Sequence, residues 1–327
     1  MRFSRVFQIL SVLNFLFLIL LWRVDEAFAE RQWLLTIIAY IPQHPFALLT
    51  ICLLVWAIFK RNTRGVLLQL PAFALLLVYF FGFNIPFGSS HNVQNPIPLR
   101  VMTYNLFGKP ATSLVLEAAN ADIICVQESR DENGLLKKLE TALPKYFVAH
   151  EGEVTIFSRF PIRATRVQHL TRSWRVILEV DIDMKGTLVR VVSVHFNTLN
   201  IQGGNYYRTH PETTPKRVSD SMDDRWETVQ KLLEIENHTD IPLLVMGDFN
   251  TPTRGALYGA LKTKLDDAFA ATGWGFGYSY RSDLPLLRID YLWTNKFVKP
   301  IRAFNVDSRA SDHRPLIADV LVSSQKR

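Results

Sequence analysis

The sequence of 327 residues predicts an α/β (α+β) fold of two packed β-sheets flanked by helices, preceded by about three transmembrane helices. Residues 1–86 are dominated by Leu, Phe, Ile and Ala, whereas the rest has the composition of an ordinary globular domain. That globular part contains many short apolar runs typical of strands and few helical segments. Polar residues repeatedly stand at the ends of these runs, as expected if two packed sheets bring their strand ends to one rim.

Three apolar segments in the first 86 residues are long enough to cross a bilayer, at about 6–22, 40–59 and 66–83. The second apolar run begins earlier, at Trp33, but Pro42-Gln43-His44-Pro45 interrupts it. Its first half is expected to lie at the membrane interface or to enter the membrane as a kinked turn. The sequence therefore predicts a transmembrane region over residues 1–86.

Basic residues predict how these spans are oriented. They lie before the first span and between the second and third: Arg2, Arg5, Lys60, Arg61 and Arg64. The positive-inside rule places both groups in the cytoplasm, so that three crossings leave the chain after about Pro86 outside it. Ala27-Phe28-Ala29 resembles a signal-peptidase site, yet cleavage there would leave two spans and the same placement. We predict a multi-pass protein of the cell (inner) membrane whose globular domain lies on the extracytoplasmic side.

Residues 87–97 are polar and rich in turn-forming residues, and they are predicted to link the membrane region to a globular domain over 98–323. Lys and Arg outnumber Asp and Glu by four before residue 97 and by three after it. The globular part is therefore nearly balanced in charge. A tight nucleic-acid binder usually carries a larger basic excess, which weakens such a role without excluding it.

The globular part is predicted to alternate between strands and a few helices. In chain order, strands are expected at about 99–104, 123–126, 146–149, 154–157, 175–182, 188–194, 242–246, 290–294, 298–306 and 316–322. Helices are expected at about 113–119, 133–142 and 223–236 and near Ala256. The insertion 200–217 could form a mobile rim, and the aromatic segment 273–280 could stack on a base or meet a lipid.

The run Leu243 to Asn250 is the most informative stretch. A short apolar strand bounded by Pro and Gly delivers Asp248 and Asn250 at its end. Side chains two residues apart on an extended chain point the same way. A carboxylate and an amide presented together can orient a water and donate a hydrogen bond to an oxyanion.

Seven polar residues share this placement at the end or start of a predicted strand: Asn105, Glu128, His195, Asp248, Asn250, Asp290 and His313. Carboxylate and amide oxygens without thiolates suit hard cations such as Mg²⁺ or Mn²⁺, which bind phosphate substrates through few protein ligands. Two histidines can hydrogen-bond a phosphate or transfer a proton near neutral pH. A zinc site is disfavoured because the sequence has no His-x₃-His or Cys pair.

Six motifs in order resemble those of the endonuclease/exonuclease/phosphatase superfamily, which includes deoxyribonuclease I, AP endonucleases, neutral sphingomyelinases and inositol polyphosphate phosphatases. They are Thr103-Tyr104-Asn105, Val126-Gln127-Glu128, Ser193-Val194-His195, Gly247-Asp248-Phe249-Asn250, Arg288-Ile289-Asp290-Tyr291 and Ser311-Asp312-His313. The resemblance covers about residues 98–323. It implies a four-layer α/β sandwich and metal-dependent hydrolysis of a phosphoester by an activated water.

The resemblance also implies roles for the motif residues. Glu128 would be the principal metal ligand, with Asn105 beside it and Asp312 near the same ion. Asp248 would orient or deprotonate the attacking water. Asn250 would stabilise the pentavalent transition state.

The same resemblance assigns the two histidines. Asp290 would hold the tautomer of His313, which would contact the scissile phosphate. His195 occupies the position where deoxyribonuclease-like and sphingomyelinase-like members have His and AP endonucleases have Tyr. That difference argues against abasic-site repair, as does an external domain.

The expected function is a membrane-anchored, divalent-metal-dependent phosphoesterase that hydrolyses a phosphodiester. Two substrate classes remain open, namely DNA or RNA outside the cytoplasm and a phospholipid or sphingomyelin headgroup. A different class of function, an inactive binding or scaffold domain on the same fold, is opposed by the intact metal and water-activating positions. The expected partners are the lipid bilayer and the phosphodiester substrate, with no obligate protein partner.

Overall fold

The strands of the globular part form two six-stranded sheets in a computed structural model that describes residues 5–89, 91–131, 134–199 and 211–324. The strands are β1 (Pro96–Asn105), β2 (Ile123–Gln127), β3 (Phe147–Glu151), β4 (Val154–Ser158), β5 (Ile162–His169), β6 (Val176–Met184), β7 (Thr187–His195), β8 (Leu243–Asp248), β9 (Asp266–Asp267), β10 (Asp290–Thr294), β11 (Val298–Asn305) and β12 (Leu316–Ser323). The first sheet has the order β11-β12-β1-β2-β4-β3 and the second β5-β6-β7-β8-β10-β9. Neighbours β1–β2 and β7–β8 are parallel, and the other described pairs are antiparallel.

The helices lie in the N-terminal region and on the outer faces of the two sheets, except for one short helix whose residues Ala268 and Phe269 pack in the core between the sheets. They are α1 (Arg5–Phe28), α2 (Trp33–Tyr40), α3 (Leu48–Phe59), α4 (Thr63–Leu75), α5 (Ser113–Ala119), α6 (Leu135–Ala142), α7 (Thr214–Asn237), α8 (Gly255–Lys262) and α9 (Ala268–Thr272). Helices α5 and α6 cover the first sheet, with Leu116 and Leu139 packed among its outward side chains. Helices α7 and α8 cover the second, through residues such as Leu232 and Leu257.

The main core lies between the sheets. Because successive side chains of a strand point to opposite faces, each inner strand contributes every second residue to this layer. Val101 and Cys125 from the first sheet meet Val191 and Met246 from the second in one buried cluster. The resulting order of helix, sheet, sheet and helix confirms the predicted fold class of two packed sheets flanked by helices.

Several elements differ from the sequence-based expectation. Helix α7 begins at Thr214 rather than at Asp223, so the end of the predicted 200–217 insertion is helical; residues 200–210 of that insertion lie outside the described residues. Strand β5 was not predicted, because as a partly exposed edge strand paired only with β6 it carries Arg, Gln and Thr rather than an apolar run. Strand β1 starts at Pro96, inside the predicted linker.

The N-terminal helices fit the predicted membrane region in part. Two helices, Arg5–Phe28 and Thr63–Phe80, are long and apolar enough to cross a membrane. The pair Trp33–Tyr40 and His44–Phe59 adds a third span only if these two pieces, bent by 73°, count as one. The bend lies at the predicted Pro-containing interruption. By length and composition, the described helices therefore support two spans, or three if the bent pair counts as one.

Helix α2 lies against the globular domain. Trp33, Ile37 and Tyr40 pack with a buried cluster formed by Leu199, Val218 and Met222. Farther along, Asn84 pairs with Gly275 through two backbone hydrogen bonds of 2.8 and 3.1 Å. The N-terminal region and the domain thus share a packed interface rather than a single flexible connection.

Candidate active site

The predicted site residues meet at one rim because of how the strands pair. Asn105, His195 and Asp248 are the last residues of β1, β7 and β8, and β7 and β8 run parallel, so His195 pairs with Asp248. Strand β10 runs antiparallel to β8, so its first residue, Asp290, also pairs with Asp248. His313 lies just before β12. The points where the strands end, and the directions in which they pair, together place these side chains at one edge of the two sheets.

Asp248 is the centre of the cluster. Its side chain is 1% exposed, and its Oδ2 accepts a hydrogen bond of 3.0 Å from Asn105 Nδ2. The Nε2 atoms of His195 and His313 lie 3.5 and 3.6 Å from the same oxygen. Burial raises the pKa of Asp248 above its ordinary value, although the charge of His313 opposes this. The buried carboxylate of Asp248 is therefore surrounded by three side-chain nitrogens that come from separate parts of the chain.

Asn105 joins the two carboxylates of the rim. Its Nδ2 also donates to Glu128 Oε1 at 3.1 Å, while its Oδ1 accepts from the backbone N–H of Phe107 at 3.0 Å. The amide nitrogen rather than the oxygen thus faces Glu128, and a metal-ligand role for Asn105 would require the amide group to turn over. Burial raises the pKa of Glu128, which the hydrogen bond from Asn105 opposes.

Two site residues have left-handed backbone conformations, which residues other than Gly rarely adopt. Glu128 has φ 54° and Asn250 has φ 47°. Asn250 is held by its N–H donating to Asp248 Oδ1 at 2.8 Å and by its side-chain Nδ2 donating to the Phe196 carbonyl at 3.0 Å. Such conformations persist where the surroundings determine them, and they concentrate at functional sites.

His313 and Asp290 form a buried pair. His313 Nδ1 lies 2.8 Å from Asp290 Oδ2, and Asp290 is fully buried. Burial lowers the pKa of His313, but the charges of Asp290 and Asp248 and the hydrogen bond with Asp290 outweigh it and raise that pKa to about 10. The ring of Tyr280 lies over this pair, 4.9 Å from the imidazole between centroids. The imidazolium form is therefore favoured at neutral pH.

His195 faces a carboxylate that sequence reasoning missed. Glu153 Oε1 lies 2.9 Å from His195 Nδ1 and 2.6 Å from Arg175 Nη1. Burial, and then the charge of Arg175, lower the pKa of His195 well below its ordinary value. The signal that could have found Glu153 is its position directly before β4, whose first residue pairs with the last residue of β2.

Asp312 lies at the edge of this cluster. Its side chain is partly exposed and its Oδ1 accepts a hydrogen bond of 3.2 Å from Ser311 Oγ. Its negative charge contributes to the raised pKa of His313. Among the described residues, no contact joins Asp312 to Glu128. Of the predicted metal ligands, Asn105 and Glu128 thus lie in direct contact, while Asp312 lies beside His313.

The donor chemistry fits a hard cation. Within the described part of the chain, Asp248, Asp290 and His313 could hold a metal ion, since one ligand atom from each lies within 4.8 Å of the others. Glu128 adds a partly exposed carboxylate at the mouth of the cluster. Oxygen donors dominate and both cysteines lie elsewhere, Cys125 being buried in the core.

A cavity of about 420 Å³ opens beside Glu128. Its lining residues are Phe107, Gly108, Glu128, Arg130, Leu135, Glu153, Trp174 and Arg175. The guanidinium carbons of Arg130 and Arg175 lie 4.1 and 5.1 Å from the centre of the Trp174 ring. Sequence reasoning missed the arginines and Trp174, although Arg175 stands at the start of the predicted strand 175–182. The cavity combines positive charge and an aromatic surface next to the carboxylates.

Three solved structures share the fold. An endonuclease/exonuclease/phosphatase family protein from Bacteroides thetaiotaomicron is 18% identical, with a TM-score of 0.53, and the match covers 71% of this chain and 100% of that one. A humanized D. rerio TDP2 with 14 mutations is 12% identical (TM-score 0.52; 68% and 98% covered). The human Nocturnin catalytic domain with bound sulfate anion is 19% identical (TM-score 0.50; 68% and 94% covered).

These identities show a common fold and no more. No curated protein matches the chain significantly. A family model described as the endonuclease/exonuclease/phosphatase family matches residues 102–313, which is more than half of the chain and spans every strand-end residue of the rim. By that match, together with the two packed sheets and the rim cluster, the chain belongs to the endonuclease/exonuclease/phosphatase family.

Proposed function

We propose that the protein is a membrane-anchored, divalent-metal-dependent phosphoesterase that hydrolyses a phosphodiester with an activated water. The observation that carries this proposal is the convergence of Asn105, His195 and His313 on one carboxylate oxygen of Asp248. A buried carboxylate can accept a hydrogen bond from a water, and the donors around it can hold a phosphate oxygen next to that water.

In this proposal Asp248 orients the attacking water and accepts its proton. Burial raises the pKa of Asp248, which brings it closer to neutral pH and makes it a stronger base than an exposed aspartate. Asn250 is fixed beside it and donates a hydrogen bond to the transition state. Its side-chain amide is engaged with the Phe196 carbonyl, so this role uses the second N–H of that amide.

The two histidines have opposite charge states in the proposed mechanism. His313, with its pKa raised to about 10, remains protonated and donates to a phosphate oxygen, while Asp290 holds its ring. His195, with its pKa lowered, remains neutral, and it offers an uncharged hydrogen bond in the tautomer that carries its one proton on Nε2. One charged donor and one neutral donor beside Asp248 would hold a phosphate group without neutralising the base.

A Mg²⁺ or Mn²⁺ ion would be held by Glu128, with Asn105 and Asp312 as further proposed ligands. When bound, such an ion supplies positive charge that stabilises the negative charge developing on the phosphate. The partly exposed carboxylate of Glu128, at the mouth of the cavity, supports this placement. The chain's own contribution is to keep Glu128 close to Asp248, which the shared hydrogen-bond donor Asn105 achieves.

The position of the site favours a lipid headgroup over nucleic acid as the substrate. Tyr278 Oη donates to the carbonyl of Phe81 at 2.7 Å, directly after the candidate span Thr63–Phe80. Two residues later Tyr280 packs on His313. The segment 278–280 thus contacts both the end of the candidate span and the site. A site this close to the end of a span supports a substrate held at the bilayer surface, on the extracytoplasmic side by the positive-inside rule.

A substrate panel tests the proposed function. The full-length protein in lipid vesicles is assayed with Mg²⁺ or Mn²⁺ against phospholipids, DNA, RNA, inositol phosphates and bis-p-nitrophenyl phosphate. We expect hydrolysis of a diester that is abolished in Asp248→Asn, with phospholipid preferred. Preference for DNA or RNA would instead assign a nuclease. Absence of hydrolysis of every substrate would favour the binding or scaffold alternative.

A further inference from the structure

We propose that Tyr40, at the end of α2, is a positioning residue for the catalytic turn 248–251 and acts on that turn through Arg225. This inference rests on the proposed function, since it concerns the same Asp248 and Asn250. It assigns part of the active-site support to the N-terminal region, outside the domain that carries the family motifs.

Arg225, on α7, holds the turn from beneath. Its Nη2 donates to the Asn250 carbonyl and to Thr251 Oγ1, each at 2.5 Å, and to the Phe249 carbonyl at 3.3 Å. The residue is fully buried. Because one guanidinium nitrogen collects acceptors from three successive residues, the position of Arg225 determines the position of the turn. The same turn contains the backbone N–H of Asn250, which donates a hydrogen bond to Asp248.

The other side of Arg225 faces the N-terminal region. Its guanidinium carbon lies over the Tyr40 ring, 4.7 Å from the ring centre. Its Nε and Nη1 are buried and have no hydrogen-bond partner among the described residues. A buried cation with few acceptors is costly, and here the Tyr40 ring and the nearby carboxylate of Glu30 compensate it. Tyr40 therefore stabilises Arg225 in the orientation that holds the turn.

Tyr40 is itself fixed by Glu30. The Tyr40 hydroxyl donates to one carboxylate oxygen of Glu30, and the other accepts the backbone N–H of Leu257 at 2.7 Å. The Glu30 carbonyl accepts from Trp226 Nε1 at 2.9 Å. Glu30 thus ties the segment between α1 and α2 to both α7 and α8. This arrangement holds the Tyr40 ring against Arg225. The Tyr40 hydroxyl also interacts with Thr251 of the turn, a contact that Tyr40→Phe removes while it keeps the ring.

The expected consequence of losing the ring is a slower chemical step. Without Tyr40, Arg225 turns toward water or toward other acceptors, and the turn loses its common donor. Since neither Arg225 nor Tyr40 lines the cavity beside Glu128, substrate binding should change little. A residue that supports only transition-state groups affects kcat rather than KM.

The test compares Tyr40→Leu with Tyr40→Phe in the full-length protein in lipid vesicles, with bis-p-nitrophenyl phosphate as the probe substrate. We expect Tyr40→Leu to lower kcat about tenfold with KM unchanged, the size expected for a desolvated cation–π contact. Tyr40→Phe keeps the ring and should stay within about threefold of the wild type. The matched control is Ile37→Ala, on the same helix and in the same apolar cluster as Tyr40, which should keep its kcat.

A second measurement does not depend on activity. Hydrogen exchange of the peptide containing residues 249–252 should be faster in Tyr40→Leu than in Tyr40→Phe, Ile37→Ala or wild type. If Tyr40→Leu does not fold, Arg225→Lys replaces it, since Lys keeps the charge but loses the fork of donors. Equal exchange and equal kcat in the Leu and Phe variants, or in Arg225→Lys and wild type, would overturn the inference. A wild-type protein inactive on every substrate refutes the proposed function, and the exchange result then decides the positioning role alone.

Discussion

Replacing Asp290 with Asn should lower the pKa of His313 and slow catalysis. Asp290 is fully buried, and the described contact of its carboxylate is His313 Nδ1 at 2.8 Å; its Oδ1 has no hydrogen-bond partner among the described residues. The variant keeps the size of the side chain and removes its charge. His313 would then keep the more distant carboxylate of Asp248, 3.6 Å from its Nε2, and the charge of Asp312.

The size of the expected change in the His313 pKa follows from the short distance between Asp290 and His313. An opposite charge at this distance shifts a pKa by about 1–3 units, or about 1.4–4 kcal/mol. The pKa of His313 is raised from its ordinary value of 6.5 to about 10, so the pair stabilises the folded state fully below pH 6.5 and loses this contribution as the pH rises toward 10. The variant should therefore be less stable than the wild type at pH 6, and the difference should shrink at higher pH.

Two assays measure these effects. Histidine NMR titration of the full-length protein in EDTA should show a His313 pKa below that of the wild type. Steady-state kinetics should show kcat lower by about 10² or more in Asp290→Asn and in His313→Ala, with the double variant little worse than His313→Ala. The matched control is Asp267→Asn, another buried carboxylate in the same sheet, which pairs instead with Arg288 at 2.8 Å. It should lower stability without changing the His313 pKa.

Specific results would refute this reasoning. An unchanged His313 pKa in folded Asp290→Asn would mean that Asp290 does not set the charge of the imidazole. Strictly multiplicative losses in kcat would mean that the two residues act independently. Either result would reduce Asp290 to a structural role.

Three further predictions concern the metal, the membrane and the rim. Hydrolysis should vanish in EDTA and return with Mg²⁺ or Mn²⁺, and full activity in EDTA would contradict the metal requirement. Glu128→Gln should weaken metal binding, measured by calorimetry, while leaving the unfolding transition intact. Alkaline phosphatase fused after Asn95 should be active and green fluorescent protein fused there should be dark, and the reverse pattern would place the domain in the cytoplasm. Gly247→Ala should lower the free energy of unfolding by roughly 1–3 kcal/mol or more, because the added Cβ would lie 2.0 Å from the Val194 carbonyl oxygen and push β7 from β8. Chemical unfolding measures this loss. If the variant unfolds at the same denaturant concentration as the wild type, the two strands can separate without cost.

Much of the fold and of the candidate site could be predicted because both depend on local signals. Apolar runs such as Leu243–Asp248 define strands by their own composition, and side chains at their ends need no long-range information to be recognised. Asn105, His195 and Asp248 were found in this way. Strand β5 was missed because an edge strand buries little and needs no apolar run.

The contacts between these residues required the tertiary structure. Positions next to strands do not reveal that Glu153, Arg175 and Trp174 belong to the site, and they join it only because β2, β4 and β6 bring them beside Glu128. The packing of α2 on the domain is likewise invisible to hydropathy, which reports that Tyr40 is in an apolar segment but not what its ring touches.

The sequence by itself determined the class of the protein, the rim residues and the presence of an apolar N-terminal region. Only the tertiary structure decided that Glu153 faces His195, that Arg288 pairs with Asp267, and that Arg225 lies between the catalytic turn and Tyr40. The physical reason is that periodicity and turn chemistry act over a few neighbouring residues. Partners far apart in the chain are selected by strand register, by packing of whole elements and by the cost of leaving buried charges uncompensated.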